Sequence, residues 1–557
     1  MPQTGDPFMA APAAFRTHEV FNQPAPLAGY DLFATDRPLA EAIVREGADW
    51  AVEDLSAYGA ALGSPEALEL GAIANRDTPR LHAFDRYGRR ADWVEFHPAY
   101  HRLMALQVGQ GIHASPWSHP KPGAHVHRAA GLYMSGQVEA GTSCPISMTY
   151  AGIPVVAKAG GPLEAWLPKL VSRDYDPAHR PVTEKAGALL GMGMTEKQGG
   201  SDVRANTTRA EPEAASGPGE AYRLVGHKWF MSAPMCDAFL VLAQAPGGLS
   251  CFFVPRWAPD GELNALRFQR LKDKLGNRSN ASSEVEFENA LGWLVGEEGR
   301  GVPTIIEMVG YTRLDNVLGS AGVQRQAVVQ AIHHARGRSA FQKRLVDQPL
   351  MANVLADLAL ETEAATAIAF RLARAFDAQS DPAEALLRRL VTPAAKFWVC
   401  KRGPILAGEA LEVLGGNGYI EESGMPRIYR ELPVYSIWEG SGNVMCLDAL
   451  RALHREPEAA DALEAELGHA RGGDRRLEIA VDRVLEMCRR GLSESELRRF
   501  CRELVVVVQA ALLVRHAPGF VADAFLASRL EEQAGAFGLL PEGVDARAIV
   551  DRAWSGD

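Results

Sequence analysis

The sequence lacks the features that mark several whole classes of protein. Its seven cysteines contain no CxxC pair, so we expect neither a disulfide framework nor a metal site, and predict free thiols in a reducing cytoplasm. No uninterrupted apolar run approaches the roughly 18 residues of a membrane span. The stretch from Met1 to Phe15 is rich in Pro and Ala but lacks a basic start followed by apolar residues. It is predicted to be a loose tail and not a signal peptide.

The chain also lacks an excess of positive charge. Its formal net charge is −11, so the chain as a whole is not a nucleic-acid binder by charge, and any DNA contact would require a local basic patch. We find no internal repeat and no low-complexity linker. The length of 557 residues, with 47% hydrophobic residues, predicts roughly two to four globular domains with a large buried core.

The residue pattern changes along the chain in a way that predicts domains. Ala-, Leu- and Glu-rich segments such as Pro38 to Tyr58, broken by Gly and Pro, indicate helices. Residues Glu284 to Glu288 alternate with period two, which is typical of a half-buried strand. Further on, Leu358 and Ile368 belong to one helical stripe. The predicted segments are an N-terminal extension (1–35), a helical domain (36–190), a β domain (191–300), a helical bundle (301–455) and an extra helical domain (456–557).

A glycine-containing loop is predicted where helices give way to strands. The stretch Gly193 to Asp202 reads GMTEKQGGSD. Gly200 and its neighbour Gly199 let the backbone approach a ligand closely, and Thr195 and Ser201 supply hydroxyl and N–H donors. Taken alone, such a loop is more often an ordinary turn, and that alternative stays open on these residues.

A second stretch places a single carboxylate between a tryptophan and a glycine. It runs from Glu412 to Tyr419 and resumes as SIWEGSGN at Ser436 to Asn443. A glutamate before a glycine is normally a cap or a surface residue. Beside Trp438, however, Glu439 gains an apolar wall that would raise its pKa and make it a stronger base. Gly440 allows a turn that aims N–H groups at a developing oxyanion.

Together the two stretches resemble the two signatures of the acyl-CoA dehydrogenase superfamily of flavoproteins. Their residues are most similar to those of its AidB branch, which is linked to the bacterial adaptive response to DNA alkylation. The resemblance implies an α+β multidomain fold with an N-terminal α domain, a central β-barrel domain and a C-terminal helical bundle, followed in this branch by an extra C-terminal helical domain. It also implies FAD as cofactor, an acyl-CoA-like substrate and a homo-oligomer, with a tetramer expected.

The resemblance also assigns residues. Glu439 is implied as the catalytic base and Arg313 as a CoA contact. Phe230 is expected to pack on the flavin ring, and Ser232 to donate to flavin N5. The full set of implied cofactor-binding residues is Met194, Thr195, Gly200, Ser201, Phe230, Met231, Ser232, Arg338, Phe341, Gln348, Gly415, Gly416, Ile437, Trp438, Gly440, Ser441 and Asn443. Among them, Arg338, Phe341, Gln348, Gly415 and Gly416 are expected to serve an FAD shared between two subunits.

The resemblance to the AidB branch implies contact with double-stranded DNA. The charges of the C-terminal segment support this contact and an alternative to it about equally. Segment 456–557 contains 13 arginines against 19 acidic residues, so it is acidic overall. Arg476, Arg483 and Arg490 nevertheless share one face at helical spacing, which suits phosphate contact, and Arg451 is a candidate link to the site mouth. An exposed helix with ion pairs to nearby Asp and Glu explains the same pattern equally well.

Three functions remain in view from the sequence. The first is a DNA-associated flavoprotein that limits alkylation damage and keeps weak dehydrogenase activity toward short branched acyl-CoA such as isovaleryl-CoA. The second is an ordinary metabolic acyl-CoA dehydrogenase without a DNA role. The third is a flavin oxidase or monooxygenase on the same fold.

Overall fold

The computed structural model describes residues 17–531 and 535–556, so the predicted tail from Met1 to Phe15 lies outside the described residues. The predicted order of helices, sheet and helices is present. The first part contains α1 (Arg37–Arg45), α2 (Val52–Leu62), α3 (Pro65–Arg76), β1 (Arg80–Phe84), β2 (Arg90–Glu95), α4 (Pro98–Gln110), α5 (Ser115–Ser118), α6 (Ala124–Val138), α7 (Ser143–Ala159) and α8 (Leu167–Leu170).

Local capping explains where the first helices begin. The side chain of Asp36 accepts from the Leu39 amide at 3.2 Å, and Ser64 caps α3 in the same way just before Pro65. The region is not wholly helical, because β1 and β2 form an antiparallel hairpin that the helical pattern did not predict. Asp85 makes the turn by accepting from the backbone amides of Tyr87 and Arg89.

The middle of the chain forms a seven-stranded sheet in the order β3-β5-β4-β6-β7-β9-β8. Additional pairing of β5 with β9 and of β3 with β6 closes the sheet into a barrel. Inward-facing residues such as Phe239, Phe252 and Phe287 fill its interior. Its strands are β3 (Leu190–Thr195), β4 (Arg209–Pro212), β5 (Ala221–Ser232), β6 (Ala238–Ala245), β7 (Gly248–Pro255), β8 (Leu266–Leu271) and β9 (Ser282–Val295).

Long helices follow the barrel. Helix α11 packs against α9, α10, α12 and α13, and its inward stripe is buried along most of its length. A short two-stranded ribbon, β10 with β11, interrupts the connection after α9. The elements are α9 (Gly301–Gly337), β10 (Ser339–Ala340), β11 (Lys343–Arg344), α10 (Pro349–Asp377), α11 (Pro382–Val413), α12 (Met425–Tyr435) and α13 (Gly442–Arg455).

The last part of the chain is also helical and is fastened to the bundle through buried ion pairs. Arg371 of α10 pairs with Glu466 at 2.8 Å, and Arg552 pairs with Glu363 at 2.9 Å. Removing one partner of such a pair would leave a buried charge unpaired, so these contacts tie the segment firmly to the bundle. Its helices are α14 (Ala459–Gly468), α15 (Arg475–Arg490), α16 (Leu497–His516), α17 (Gly519–Leu526) and α18 (Ala546–Ala553).

Two general expectations from the sequence can be compared with the fold. All seven cysteines are free thiols. None of the helices in the described ranges has both the length and the apolar character that crossing a membrane requires.

Candidate active site

Glu439 lies in the short loop between α12 and α13 and adopts a strained backbone conformation. Its φ of +57° falls in the left-handed region, which is uncommon for a residue with a side chain. Gly440 follows with φ +108°, where a glycine is needed. A non-glycine residue keeps such a conformation only when its surroundings hold it there, and these outliers concentrate at functional sites.

Two cations hold this loop by its backbone. The buried ammonium of Lys396, on α11, donates to the carbonyl oxygen of Trp438 at 2.7 Å and to that of Gly440 at 2.5 Å. Arg313, on α9, donates from Nε to the carbonyl oxygen of Glu439 at 3.1 Å. Three successive carbonyl groups are therefore bound by two charged donors, which we call the carbonyl clamp (Lys396 and Arg313). Hydrogen bonds from charged donors are the stronger kind, so the clamp can fix the left-handed turn.

The carboxylate of Glu439 is oriented by Thr312, the residue that precedes Arg313 on α9. Its Oε2 accepts from the Thr312 hydroxyl at 2.9 Å. Burial raises the pKa of Glu439, and the Thr312 hydrogen bond together with the charges of Arg313 and Lys396 opposes that rise without cancelling it. The result is a carboxylate that is a stronger base than one in water yet is kept in a single orientation, as a general base requires.

Arg313 makes two contacts within the protein. Besides the Glu439 carbonyl it binds Asp448 of α13 at 2.7 Å, and its side chain is largely buried. Asp448 also accepts from Arg389 at 3.0 Å. The implied direct contact with CoA stays a prediction: Nε and Nη1 of Arg313 donate within the protein, where the residue supports the loop that carries Glu439.

The glycine-containing loop is organised by a buried ion pair. Glu196 accepts from the Lys228 ammonium and from the Thr207 amide, both at 2.7 Å. Burial alone would raise the pKa of Glu196. The charge of Lys228 and these hydrogen bonds outweigh burial and hold that pKa at about 2. Gly200 fits closely here, since a Cβ would come within 2.3 Å of the Thr195 hydroxyl. The Met194 carbonyl accepts from Asn206 at 3.0 Å, and Ser201 is exposed at the loop surface.

The last residues of β5 present one face of the strand to the region of the glycine-containing loop. Phe230 keeps 45% of its surface exposed although it lies in a barrel strand, and Ser232 is half-buried. Met231 points the other way and is fully buried in the barrel, so only its backbone is available to a ligand. Alternation along a strand explains the difference, because neighbouring side chains face opposite sides of the sheet.

The thiol of Cys144 is influenced by both Ser232 and Glu439. Burial raises the pKa of Cys144, at the start of α7, to about 11; its hydrogen bond with Ser232 lowers that pKa and the charge of Glu439 raises it. Ser232 and Glu439 thus both influence this thiol, although they are more than 200 residues apart in the sequence.

The residues predicted to serve a shared FAD lie on two exposed loops. Phe341 is 94% exposed with φ +52°, and Gln348 ties this loop by donating to the Ala340 carbonyl at 3.0 Å. Gly415 has φ +59°, and neither it nor Gly416 has an atom within 4 Å of where a Cβ would stand. The two loops therefore leave open backbone and an uncovered aromatic ring on the surface.

A segment near the N-terminus connects these two loops, and we call it the N-terminal strap (residues 22–25). The Asn22 side chain exchanges two hydrogen bonds with the backbone of Ser339, at 2.7 and 2.8 Å. Arg338 donates to the Asn22 carbonyl at 2.7 Å. Gln23 accepts from Asn417, beside the glycine turn, at 3.2 Å. Within this protomer Arg338 is thus engaged by the strap.

The remaining predicted residues flank Glu439. Ile437 is exposed, and the indole of Trp438 is half-buried with an N–H that has no acceptor among the described residues. Ser441 precedes α13 without capping it through its side chain. Asn443 accepts from Arg498 of α16 at 3.0 Å, so the extra helical segment reaches the end of this motif.

These surroundings fit FAD. The open glycine turns, the exposed ring of Phe230, the half-buried Ser232 hydroxyl and the unpaired Trp438 N–H offer stacking surface and donors to a large planar ligand. The free backbone amides at the start of α13, beside Arg498, suit a negatively charged group.

Sequence reasoning missed three residues of the site: Thr312, Lys396 and Asp448. Thr312 is adjacent to Arg313, and a single threonine on a helix gives no sequence signal of its own. Lys396 stands alone in the apolar run Ala394 to Cys400, and a lone lysine on a buried helix face is a recognisable signal of a charged partner.

The arginines proposed for DNA contact are paired with carboxylates. Arg476 binds Asp474 at 2.8 Å and Asp523 at 2.5 Å. Arg483 binds Glu503 at 2.9 Å, and Arg490 binds Glu496 at 2.5 Å. These pairs favour the ion-paired helix over a free phosphate-binding face. Arg451 is exposed on α13.

Comparisons with known proteins agree with this arrangement. The family model "Adaptive response protein AidB N-terminal domain" matches residues 22–177, and models of the acyl-CoA dehydrogenase middle and C-terminal domains match residues 191–290 and 299–454. The chain is 49% identical over 523 residues to "Putative acyl-CoA dehydrogenase AidB" of Escherichia coli (strain K12), a match that covers 94% of this chain and 96% of that protein.

Solved structures show the same fold. The structure of Caenorhabditis elegans ACDH-11 in complex with C11-CoA superposes with a TM-score of 0.82 at 26% identity, covering 98% of this chain and 95% of that one. Glutaryl-CoA dehydrogenase from Mycobacterium smegmatis in complex with FADH2 gives a TM-score of 0.54 at 20% identity, covering 64% of this chain and 87% of that one. The chain therefore belongs to the AidB family of acyl-CoA dehydrogenases, and it is an FAD-dependent oxidoreductase of the acyl-CoA dehydrogenase type.

Proposed function

We propose that this enzyme oxidises a short branched acyl thioester, such as isovaleryl-CoA, with Glu439 as the base that removes the proton α to the carbonyl group. The observation that carries the proposal is the Glu439 carboxylate, which is held by the Thr312 hydroxyl on a left-handed turn whose carbonyl groups accept from Lys396 and Arg313. Ser232, half-buried at the end of β5, is expected on the flavin side, opposite this carboxylate. That is the arrangement in which proton removal and hydride loss can occur on opposite faces of a substrate.

The residues divide the work as follows. Thr312 occupies Oε2 of Glu439, which leaves Oε1 to receive the α proton. The carbonyl clamp keeps the loop in its left-handed turn, and the N–H groups of Glu439 and Gly440 are then available to the thioester carbonyl. The chemistry that bound FAD would supply is the acceptance of the hydride from the β carbon. Ser232 would donate to the flavin, and Phe230 would support its ring.

Flavin bleaching under anaerobic conditions tests this proposal. We expect isovaleryl-CoA to bleach the FAD absorbance of the purified protein faster than a panel of straight-chain acyl-CoAs, and the bleaching to yield the α,β-unsaturated product. Absence of bleaching with FAD fully bound would contradict the proposal. Fast reoxidation by air together with an oxygenated product would instead favour the flavin oxidase or monooxygenase alternative.

We also infer a homo-oligomer, with a tetramer expected. Phe341, at 94% exposure, and Tyr419, at 82%, lie on the two loops predicted to share FAD with a neighbour. Large exposed aromatic residues beside a cofactor site commonly mark a surface that another subunit covers. The free thiols suit a reducing compartment, and we propose the cytoplasm as the location of this assembly.

We further propose that the protein limits DNA alkylation damage and binds double-stranded DNA nonspecifically, as its membership of the AidB family suggests. Exposed Arg451 and the arginines of α15 are the candidate contacts. The acidic partners of those arginines weaken the case for tight binding. The proposed association is therefore weak and strongly dependent on salt.

Replacing Arg476, Arg483 and Arg490 together with glutamine tests this surface. We expect retention of duplex DNA to fall and its salt dependence to become shallower, because three phosphate contacts would be lost. The matched control replaces Arg76, Arg89 and Arg102, which are likewise paired with carboxylates but lie in the first helical region. Equal DNA retention by the two triple variants would remove the α15 face from the proposal.

A further inference from the structure

A second cavity lies behind the barrel and shares no lining residue with the site around Glu439. It has a volume of about 280 Å³ and opens between the β1–β2 hairpin, the segment 175–185 and the barrel turns at 234–237 and 256–257. A dry cavity of about 150 Å³ already accommodates benzene. The volume here therefore suits one aromatic ring with a small substituent.

One wall of the cavity carries a buried cation without an acidic partner. Arg256 is 3% exposed, and no carboxylate of the described residues lies within 4 Å of it. Its Nη2 donates to the Asp92 carbonyl at 2.8 Å and contacts His179 Nε2 at 3.1 Å, while its Nη1 has no acceptor. Burial lowers the pKa of Arg256 to about 10, although the charges of Asp92 and Asp237, which lie beyond salt-bridge distance, raise it, so the guanidinium stays charged at neutral pH. A buried guanidinium with an unused donor is costly unless an anion joins it.

The other charges of the cavity are already matched. Lys185 pairs with Asp237 at 2.6 Å, and Arg180 pairs with Asp176 at 2.9 Å. Asp92 faces Arg90 at 3.5 Å and Arg267 at 3.8 Å. Arg256 is therefore the cation of this wall that lacks a counter-charge within salt-bridge distance.

The remaining walls are aromatic. Trp93, Phe96 and Tyr175 line the cavity, and so does Trp257, whose indole N–H has no acceptor among the described residues. Two neighbouring residues, Arg256 and Trp257, thus each hold a donor without an acceptor. Planar apolar walls around such donors favour a planar ligand with an acceptor group at one end.

We propose that this cavity binds a small aromatic carboxylate, whose carboxylate group is received by Arg256 and Trp257 after a small adjustment of their side chains. The site is independent of the proposed dehydrogenase reaction. It adjoins the flavin side of the molecule, because Pro234 to Asp237 follow Ser232 almost directly.

Calorimetric titration of the FAD-loaded protein with benzoate tests the proposal, with benzamide as the uncharged control. We expect benzoate to bind at least about tenfold more tightly than benzamide, because only the carboxylate gains a charge-assisted bond to Arg256. Equal affinities for the two compounds, or no binding of benzoate, would overturn the proposal.

Three variants test where benzoate binds. Arg256→Met should weaken benzoate at least about tenfold with little effect on benzamide. Ala178→Trp should abolish binding of both by filling the cavity, and it leaves Arg256 in place if the first variant folds poorly. Glu439→Gln should bind benzoate as the unchanged protein does. A loss of binding in Glu439→Gln, with retention in Ala178→Trp, would assign benzoate to the acyl-CoA site and contradict the proposal.

Discussion

Replacing Glu439 with glutamine is expected to slow acyl-CoA-dependent flavin reduction by about 100- to 10,000-fold, the range for removing a general base. The amide has nearly the same shape and can still accept from Thr312, so the loop should keep its position. What is lost is the capacity to take up the α proton. Rapid-mixing spectroscopy under anaerobic conditions, with isovaleryl-CoA in excess, measures the rate directly.

The control for this variant is cofactor content. The flavin-to-protein ratio and the FAD absorbance spectrum should match those of the unchanged protein. The reason is that, among the described residues, the Glu439 side chain makes no hydrogen bond to those predicted to hold FAD. Undiminished flavin reduction in Glu439→Gln would refute the assignment of the base. Loss of FAD would show that the residue matters for cofactor binding instead.

Replacing Lys396 with methionine is expected to lower the rate of flavin reduction by about 10- to 100-fold, because two charge-assisted hydrogen bonds that position the base are lost. Methionine has a similar length but leaves the carbonyls of Trp438 and Gly440 without their donor. The base then loses its fixed position while substrate binding is retained. The fall should therefore appear in kcat and not in KM.

The pH profile separates this role from a purely structural one. Lys396 lowers the pKa of Glu439, so Lys396→Met should shift the acidic limb of the rate profile to higher pH. Burial lowers the pKa of Lys396 itself to about 8, and the unchanged enzyme should lose rate above that pH as the ammonium loses its proton. Lys396→Arg, which stays charged, should lack this basic limb. A methionine variant with the original rate and pH profile would rule out the carbonyl clamp.

The sequence was informative where function depends on local backbone. The resemblance of the motif around Glu439 implies this residue as the base, and the structure adds that its φ is positive and that Gly440 must turn with it. The order of helices, strands and helices followed from periodicity, which depends only on neighbouring residues, whereas the barrel was implied by the family resemblance. The assignment of the FAD-binding residues stays a prediction that the geometry supports.

Contacts between distant segments could not be obtained in this way. Arg313 and Asp448 are 135 residues apart, and no pattern in either segment shows that they meet. The same holds for Asp523 and Glu503, whose pairing with Arg476 and Arg483 decides how much positive charge that face presents. The hairpin at β1 and β2 was missed because a short half-exposed ribbon has a weak period amid long helices.

The N-terminal strap has a practical consequence for anyone who prepares this protein. Asn22 and Gln23 join the loop after α9 to the glycine turn at Gly415, so the spacing of the two loops depends on residues at the very start of the described chain. Shortening the protein to begin after Ala25 would release both loops at once without touching any residue of the flavin motifs. Preparations that differ only in where their first residue lies would then differ in how much yellow cofactor they keep through purification.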